Sequence, residues 1–170
     1  MLVPAMFYKD EIEKQFAKRM YDDDMFYYNG YAHGHEMTEI KPQDNLYQWA
    51  IMGYSLRSCG YTLPIGYFSY RIDSSTDNVY NFGLYSFDKG NALIGHDVFK
   101  KMEELIKEHH RIEWRCVGGN KALRGYVRFM EYIHKKYGYY VYKHRLTDVA
   151  KTPHGNYKPE HIFEIVNKEA

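Results

Sequence analysis

The chain has 170 residues, of which 45% are hydrophobic, and its formal net charge at pH 7 is +1. This length and composition predict a single domain, residues 1–170, that buries a core of its own. The charge near zero argues against a dedicated nucleic-acid binder that neutralises phosphates over its whole surface.

Cysteine usage and the absence of targeting patterns indicate the compartment. Cys59 and Cys116 are far apart in the chain, which favours a reducing environment. No segment has the pattern of a signal peptide, and no apolar stretch approaches the length of a membrane span. We therefore expect a cytoplasmic protein.

The first predicted helix begins with Asp10 as its cap and Glu13 in the reciprocal position of a capping box. Ile12, Phe16 and Met20 then fall on one face of this helix. That face is expected to be buried.

A long loop is predicted after this helix, which should end near the aspartates at 22–24. Residues 27–43 contain two glycines and a proline and show no sustained periodicity. His33, His35 and Glu36 lie here, but their spacing fits no metal motif, so no metal is predicted.

Three strands are predicted next, over residues 46–55, 63–73 and 78–87. Polar or glycine-containing connections at 57–60 and 74–77 separate them. This spacing is typical of an antiparallel meander.

A glycine-bounded turn, Gly90 to Gly95, connects the third strand to a predicted amphipathic helix that runs to about Glu108. A turn between a strand and a helix directs free backbone N–H groups outward, and the helix dipole adds to their effect. We therefore expect this turn to favour an anionic ligand such as a pyrophosphate.

A short strand is predicted over 111–117, because Ile112, Trp114 and Cys116 alternate with charged residues. Asn120 is a good cap for the next helix, which Gly138 ends after Lys136.

Two final strands are predicted, over 139–145 and 161–166, with a hairpin at 149–159 between them. Positive charge is concentrated in the second half of the chain, where residues 81–170 have 16 Lys/Arg against 11 Asp/Glu. In one stretch, only Glu131 opposes Lys121, Arg124, Arg128, Lys135, Lys136, Lys143 and Arg145. An anionic ligand should therefore favour this half.

This order of elements resembles the GNAT superfamily of N-acetyltransferases, which bind acetyl-CoA between the fourth and fifth strands. The resemblance depends on the meander 65–87, the turn 90–95, the strand 112–117, and Asn120 leading the following helix. It implies an α/β (α+β) fold with a single mixed, mostly antiparallel central sheet and helices on both faces. The core would span 46–166, with the N-terminal helix and a substrate-side loop in 1–45.

The resemblance also implies where acetyl-CoA binds. Backbone groups of the fourth strand would pair with its pantetheine arm, at Leu84, Tyr85 and Ser86. The pyrophosphate would lie against the turn, and Lys89 would be a nearby cation. The residues of the turn are Gly90, Asn91, Ala92, Leu93, Ile94 and Gly95. The turn departs from the family's pattern, since Gly90 and Leu93 occupy its first two characteristic positions and only Gly95 fits.

By the same resemblance, Asn120 would contact the pantetheine arm and Tyr126 would protonate the leaving thiolate. Tyr132 and Tyr137 are rival acids, because Tyr126 is further from Gly138 than the family's spacing predicts.

For the general base, the sequence offers Glu113, Asp73 or an ordered water. We favour Glu113, because a carboxylate on a strand beside a splayed sheet can be partly desolvated, which would raise its pKa.

The implied function is acetyl-CoA-dependent acetyl transfer to a primary amine by direct attack in a ternary complex, without a metal. The amine would belong to a small molecule or a peptide, bound near 27–43 and the hairpin 149–159. An inactive GNAT-fold binding or regulatory protein remains an alternative, as does a nucleic-acid-associated module that uses the basic helix 121–136. The sequence allows a homodimer, and no membrane partner is expected.

Overall fold

A computed structural model of the chain describes residues 1–19, 39–55, 60–87, 92–117, 123–138, 141–146, 150–151, 157–158 and 160–167. Its α-helices are α1 Lys9–Arg19, α2 Ala92–Glu108 and α3 Leu123–Lys136. Its strands are β1 Leu2–Pro4, β2 Leu46–Ser55, β3 Gly60–Asp73, β4 Asn78–Ser86, β5 Arg111–Val117, β6 Val141–Leu146, β7 Ala150–Lys151, β8 Tyr157–Lys158 and β9 Glu160–Val166. Within these ranges, no helix is long and apolar enough to cross a membrane.

Seven strands form one sheet in the order β1-β2-β3-β4-β5-β9-β6, and β7 and β8 form a separate hairpin. The sheet is mixed, because β4 and β5 are parallel while β5 and β6 each pair with β9 in the antiparallel sense. The parallel pair requires a crossover connection, which α2 provides.

The chain divides into two compact units, and β3 and β4 contribute residues to both. The first unit comprises Met1–Tyr70 and Gly83–Val98, and the second comprises Arg71–Phe82 and Phe99–Ala170. Whether they act as the single predicted domain stays a prediction.

The core of the first unit is built on α1. Ile12 and Phe16 are fully buried, as their spacing predicts. The Phe16 ring lies 5.3 Å from the ring of Tyr67 and 5.2 Å from that of Tyr85. The same cluster also contains Ala5, Ile40, Ala50, Met52 and Phe87.

The helix start differs from the prediction. A 3-10 helix, Ala5–Tyr8, leads directly into α1 at Lys9, so Asp10 lies inside the first turn and is not its cap. The Glu13 carboxylate instead accepts hydrogen bonds from Lys9 Nζ at 2.7 Å and from the Ile40 amide at 3.0 Å. Met20 and the predicted helix end lie outside the described residues.

The core of the second unit is an aromatic cluster around Trp114 on β5. The Trp114 ring stacks on that of Phe163 at 5.3 Å and lies 5.9 Å from Phe129 and 6.1 Å from Tyr126, both on α3. Trp114 and Phe163 face each other in the β5–β9 ladder. The alternation predicted for β5 is therefore confirmed, with its apolar side chains packed under α3.

Strand bounds follow the predictions closely where alternation is strong. β2 and β5 have the predicted bounds, and β4 ends at Ser86, one residue early. β3 begins at Gly60, not at residue 63. The sequence did not predict β1, a three-residue edge strand that pairs with β2.

Candidate functional site

On β4, Asn81 has a positive φ of 53°. A positive φ is uncommon for a residue other than glycine, although asparagine tolerates it better than most. The parallel ladder pairs Asn78 with Arg111 and Val79 with Ile112, and the residues 80–82 that follow in the second unit take no part in it. The parallel ladder of β4 and β5 is therefore short.

The predicted pantetheine-binding residues lie on β4 beyond Asn81, in the first unit. Leu84 and Ser86 are half-buried, whereas Tyr85 is 1% exposed in the α1 core. Burial, with a smaller effect of the Tyr67 hydroxyl, raises the pKa of Tyr85 well above its ordinary value. Because the Tyr85 side chain belongs to the core, only its backbone could contact a cofactor.

The structure shortens the predicted anion-binding turn. Ala92, Leu93, Ile94 and Gly95 form the first turn of α2 and are not part of the loop. The four leading amides of an α-helix have no partner within the helix, and the dipole places partial positive charge beside them. No acidic residue lies in this turn. The amides expected to bind an anion are therefore presented by helical backbone.

Five predicted residues or segments of the site lie outside the described residues. They are Lys89, Gly90, Asn91, Asn120 and most of the loop 27–43, including His33, His35 and Glu36. Among the described residues, no group of three potential ligands could hold a metal ion.

Tyr126 lies on the buried face of α3, within the aromatic cluster of the second unit. It is 9% exposed, and its ring lies 5.8 Å from that of Phe99 and 6.0 Å from that of Phe163. Burial, assisted by the nearby Cys116 thiol, raises the pKa of Tyr126 far above its ordinary value. Its phenol therefore keeps its proton at neutral pH.

The rival acids Tyr132 and Tyr137 lie at the other end of α3 and bind one carboxylate. The Tyr137 hydroxyl donates to Glu103 Oε1 at 2.7 Å, and the Tyr132 hydroxyl donates to Oε2 at 3.1 Å. Lys136 Nζ also binds Glu103 Oε1, at 2.7 Å. These contacts tie α3 to α2 and occupy both hydroxyl protons.

The expectation that Glu113 has a raised pKa is wrong. Burial does act to raise the pKa of Glu113, but hydrogen bonds and charge from Arg111 and Arg115 outweigh it and leave the pKa lowered. Arg111 also pairs with Glu164 on β9, and Arg115 pairs with Glu160 at 3.0 Å. A carboxylate held in its charged form by two guanidiniums is a weak base.

Asp73, the other carboxylate considered as a base, is part of the turn between β3 and β4. It accepts hydrogen bonds from the Ser75 hydroxyl at 2.7 Å and the Ser75 amide at 3.0 Å. These bonds lower the pKa of Asp73. The hydrogen bonds of the turn therefore explain why an aspartate occupies this position.

The role assigned to Glu113 here can be tested by Glu113→Gln, which we expect to lower the free energy of unfolding at pH 7 by about 2 kcal/mol, because two arginines lose a charged acceptor. Since folding lowers the pKa of Glu113, its stabilisation is present above the unfolded pKa of roughly 4.3 and lost as the pH falls through the folded pKa.

Melting temperatures of both proteins between pH 7 and pH 3.5 test this expectation, and the difference between them should shrink below about pH 4.3. Glu104→Gln is a matched control, because that carboxylate is exposed and pairs loosely with Lys101 at 3.7 Å. A constant difference at every pH would contradict the ion-pair role.

One further pair, His144 on β6 and His161 on β9, was not predicted from the sequence. His144 Nε2 lies 2.8 Å from His161 Nδ1. Both residues were placed in predicted strands, but only the pairing of β6 with β9 brings their side chains together. Knowledge of that register was the missing signal.

No protein-family model matches the chain, and no curated protein matches it. Among solved structures, it is similar to a "putative acetyltransferase" from Sphaerobacter thermophilus DSM 20745, with 12% identity, 92% of this chain and 89% of that chain covered, and a TM-score of 0.51. This likeness and the mixed seven-stranded sheet confirm the predicted fold class.

Two other structures are similar at lower TM-scores. For a "Probable acetyltransferase" the identity is 12%, the coverage is 74% of this chain and 65% of that chain, and the TM-score is 0.47. For the aminoglycoside 6'-N-acetyltransferase from Enterococcus faecium the identity is 9%, the coverage is 96% and 95%, and the TM-score is 0.47. The chain thus spans just under two thirds of the first of these two proteins.

Proposed function

Because the chain has the GNAT acyltransferase fold, we propose that it is an N-acetyltransferase that uses acetyl-CoA and acts on a primary amine by direct attack in a ternary complex. The observation that carries the proposal is the short parallel ladder of β4 and β5, which pairs Asn78 with Arg111 and Val79 with Ile112. Backbone groups of a strand can hydrogen-bond the amides of a pantetheine arm, and leading helix amides suit a pyrophosphate.

The described residues fit acetyl-CoA in two respects. Backbone groups of Leu84, Tyr85 and Ser86 would hold the pantetheine arm, and the amides of Ala92–Gly95 would hold the pyrophosphate without an opposing acidic side chain. Lys89, Gly90, Asn91 and Asn120 remain proposed contacts from the sequence. Bound acetyl-CoA supplies the activated acetyl thioester.

For the leaving group we propose Tyr126. Its raised pKa lies well above the thiol value of roughly 8.5, so the phenol would donate a hydrogen bond to the thiolate and keep its own proton. Tyr132 and Tyr137 are less suitable, because both hydroxyls bind Glu103. The proton that completes the thiol would come from solvent.

The first test is calorimetric titration of the purified protein with acetyl-CoA. We expect saturable binding by the wild type and a loss of at least tenfold in affinity for Gly95→Glu, which puts negative charge beside the helix amides. Gly95→Ala is the matched control, because it adds a side chain without charge and should bind within a few-fold of wild type. Circular dichroism must show that all three proteins are folded.

The remaining outcomes separate the alternatives. Release of free thiol with a panel of small primary amines and peptides would support transfer, and binding without turnover on any amine would favour an inactive binding protein. Absence of binding by a folded protein free of copurified CoA would overturn the acetyltransferase proposal. Strongly salt-dependent binding of DNA or RNA would then favour the basic helix as a nucleic-acid surface.

A further inference from the structure

The side chains of His144 and His161 link two strands on the surface of the second unit. His144 lies on β6, which is the last strand of the seven-stranded sheet, and His161 lies on the neighbouring β9. His144 Nε2 and His161 Nδ1 are 2.8 Å apart. His144 is exposed and His161 half-buried, so a small ligand can reach both rings from solvent.

A buried phenylalanine orients the two rings. His144 stacks on Phe163, with ring centroids 4.4 Å apart and an angle of 15° between the planes, and the His161 ring lies 6.4 Å from the same phenylalanine at 18°. Phe163 is fully buried and belongs to the aromatic cluster around Trp114. Because the core restricts the orientation of the imidazoles, a ligand that binds both of them costs little additional side-chain entropy.

The distance between the two ring nitrogens fits two ligands of one transition-metal ion. Imidazole nitrogen is a preferred ligand of Cu²⁺, Ni²⁺ and Zn²⁺. With metal–nitrogen bonds of about 2.0–2.1 Å, as in zinc sites, nitrogens at neighbouring corners of a square-planar or octahedral ion are about 2.9 Å apart, whereas those of a tetrahedral ion are about 3.3 Å apart. The observed 2.8 Å therefore matches the geometry that Cu²⁺ and Ni²⁺ prefer.

Metal binding requires a change of tautomer but no net loss of a proton. In the hydrogen-bonded pair, one inner nitrogen donates its N–H to the lone pair of the other. A metal ion needs the lone pairs of both inner nitrogens, so the inner proton moves to the outer nitrogen of its own ring. Each ring must also turn until its lone pair points at the ion instead of at the partner nitrogen, and the exposed position of His144 leaves room for this.

The basic side chains beside the pair lie on the opposite face of the sheet, where they do not oppose a cation. Lys143 and Arg145 alternate with His144 along β6, and Lys143 Nζ lies 4.0 Å from Glu164 on that other face. Cys116 is opposite His161 in the β5–β9 ladder, but among the described residues no three potential ligands form a group that could hold a metal ion. The two histidines would therefore be the protein ligands, with water in the other positions.

We propose that His144 Nε2 and His161 Nδ1 together bind one divalent transition-metal ion, Cu²⁺ or Ni²⁺. This site is independent of acetyl transfer and needs only the second unit. Because its ligands come from different strands, the bound ion would join the edge strand β6 to β9. Occupation of the site would thus stabilise that edge of the sheet.

Calorimetric titration of the untagged full chain with NiCl₂, at about pH 7.5, tests the proposal. Ni²⁺ is the probe because Cu²⁺ can oxidise the thiols of Cys59 and Cys116. We expect His144→Gln and His161→Gln each to lower the affinity of one wild-type site at least tenfold, since each removes one of two ligands. His134→Gln is the matched control, because His134 is an exposed histidine on α3, and it should bind as the wild type does.

Circular dichroism must show that the three variants are folded. An Ni²⁺ affinity that is unchanged in either His144→Gln or His161→Gln would overturn the proposal, because the two rings would then not share an ion. The same titration with ZnCl₂ tests the preferred geometry. Zn²⁺ should bind more weakly than Ni²⁺, since 2.8 Å is short for a tetrahedral ion, and tighter binding of Zn²⁺ would overturn the assignment of the metal.

A second readout uses the wild type alone and does not depend on the folding of a variant. In NMR spectra of the ¹⁵N-labelled chain, substoichiometric Ni²⁺ should broaden the ring signals of His144 and His161 before those of the other histidines. At a free Ni²⁺ concentration ten times the Kd, exchange of the β6 amides through opening of the β6–β9 ladder should slow about tenfold. Broadening centred on other histidines, with unchanged exchange in β6, would overturn the proposal.

Discussion

Trp114→Ala is expected to lower the free energy of unfolding by about 3–5 kcal/mol, the range for removal of a buried tryptophan from a packed core. Trp114 is 2% exposed and contacts rings from α3 and β9. Removing the indole leaves a cavity lined by Tyr126, Phe129 and Phe163, whose strand and helix backbones limit their collapse into it. The free energy of unfolding of most globular domains is only about 5–15 kcal/mol, so the variant should be near the limit of stable folding.

Urea unfolding followed by circular dichroism measures this loss, and Trp114→Phe is the matched control. Phenylalanine keeps a ring against Phe163 and removes the indole N–H, which has no hydrogen-bond partner among the described residues. We expect the control to lose less than about 1.5 kcal/mol. Equal losses in both variants would show that the stacked ring is not the source of the stability.

The second large effect is expected at Gly66 on β3, where any side chain meets backbone. A Cβ atom at this position would lie 2.8 Å from the carbonyl oxygen of Tyr85 and 3.1 Å from Ile51 Cδ1. The carbonyl can move only if β4 moves with it. Gly66→Ala should therefore lower the free energy of unfolding by about 1–3 kcal/mol through overpacking.

Gly125→Ala is the same substitution, but it is expected to raise the free energy of unfolding. A Cβ atom at Gly125 would meet Phe99 Cζ at 3.4 Å, an ordinary contact, and the residue lies within α3. Alanine should stabilise this helix by up to about 1 kcal/mol. Urea midpoints of the two variants should fall on opposite sides of the wild type, and a loss at both positions would contradict the steric explanation.

Much of the fold could be predicted because its strands and helices carry strong local patterns. Ile112, Trp114 and Cys116 alternate with charged residues, so the bounds of β5 were predicted correctly from the apolar residues of one face. β1 was missed because three residues at a sheet edge carry too little pattern. The start of α2 was misplaced because a glycine was taken as a boundary, whereas Gly95 lies in the first turn of the helix.

The candidate site was harder to predict because its electrostatics come from residues distant in sequence. Glu113 looked like a desolvated base, but Arg111 and Arg115 alternate with it on the same sheet face, where Glu164 and Glu160 complete the ion pairs from β9. The histidine pair depends on the register of β6 against β9 in the same way. A strand pattern specifies which side chains share a face but not which strand lies beside it.

Each unit of the structure contains one of the chain's two tryptophans, Trp49 in the first and Trp114 in the second. The chain therefore has an intrinsic fluorophore in each half, and single-tryptophan variants would report the unfolding of each unit separately. Trp49 donates its indole N–H to the Tyr70 hydroxyl at 3.3 Å, whereas Trp114 is surrounded by rings, so the two emission spectra should differ. Coincident transitions would mean that the two units unfold as one cooperative domain. Separate transitions would mean that each unit unfolds independently of the other.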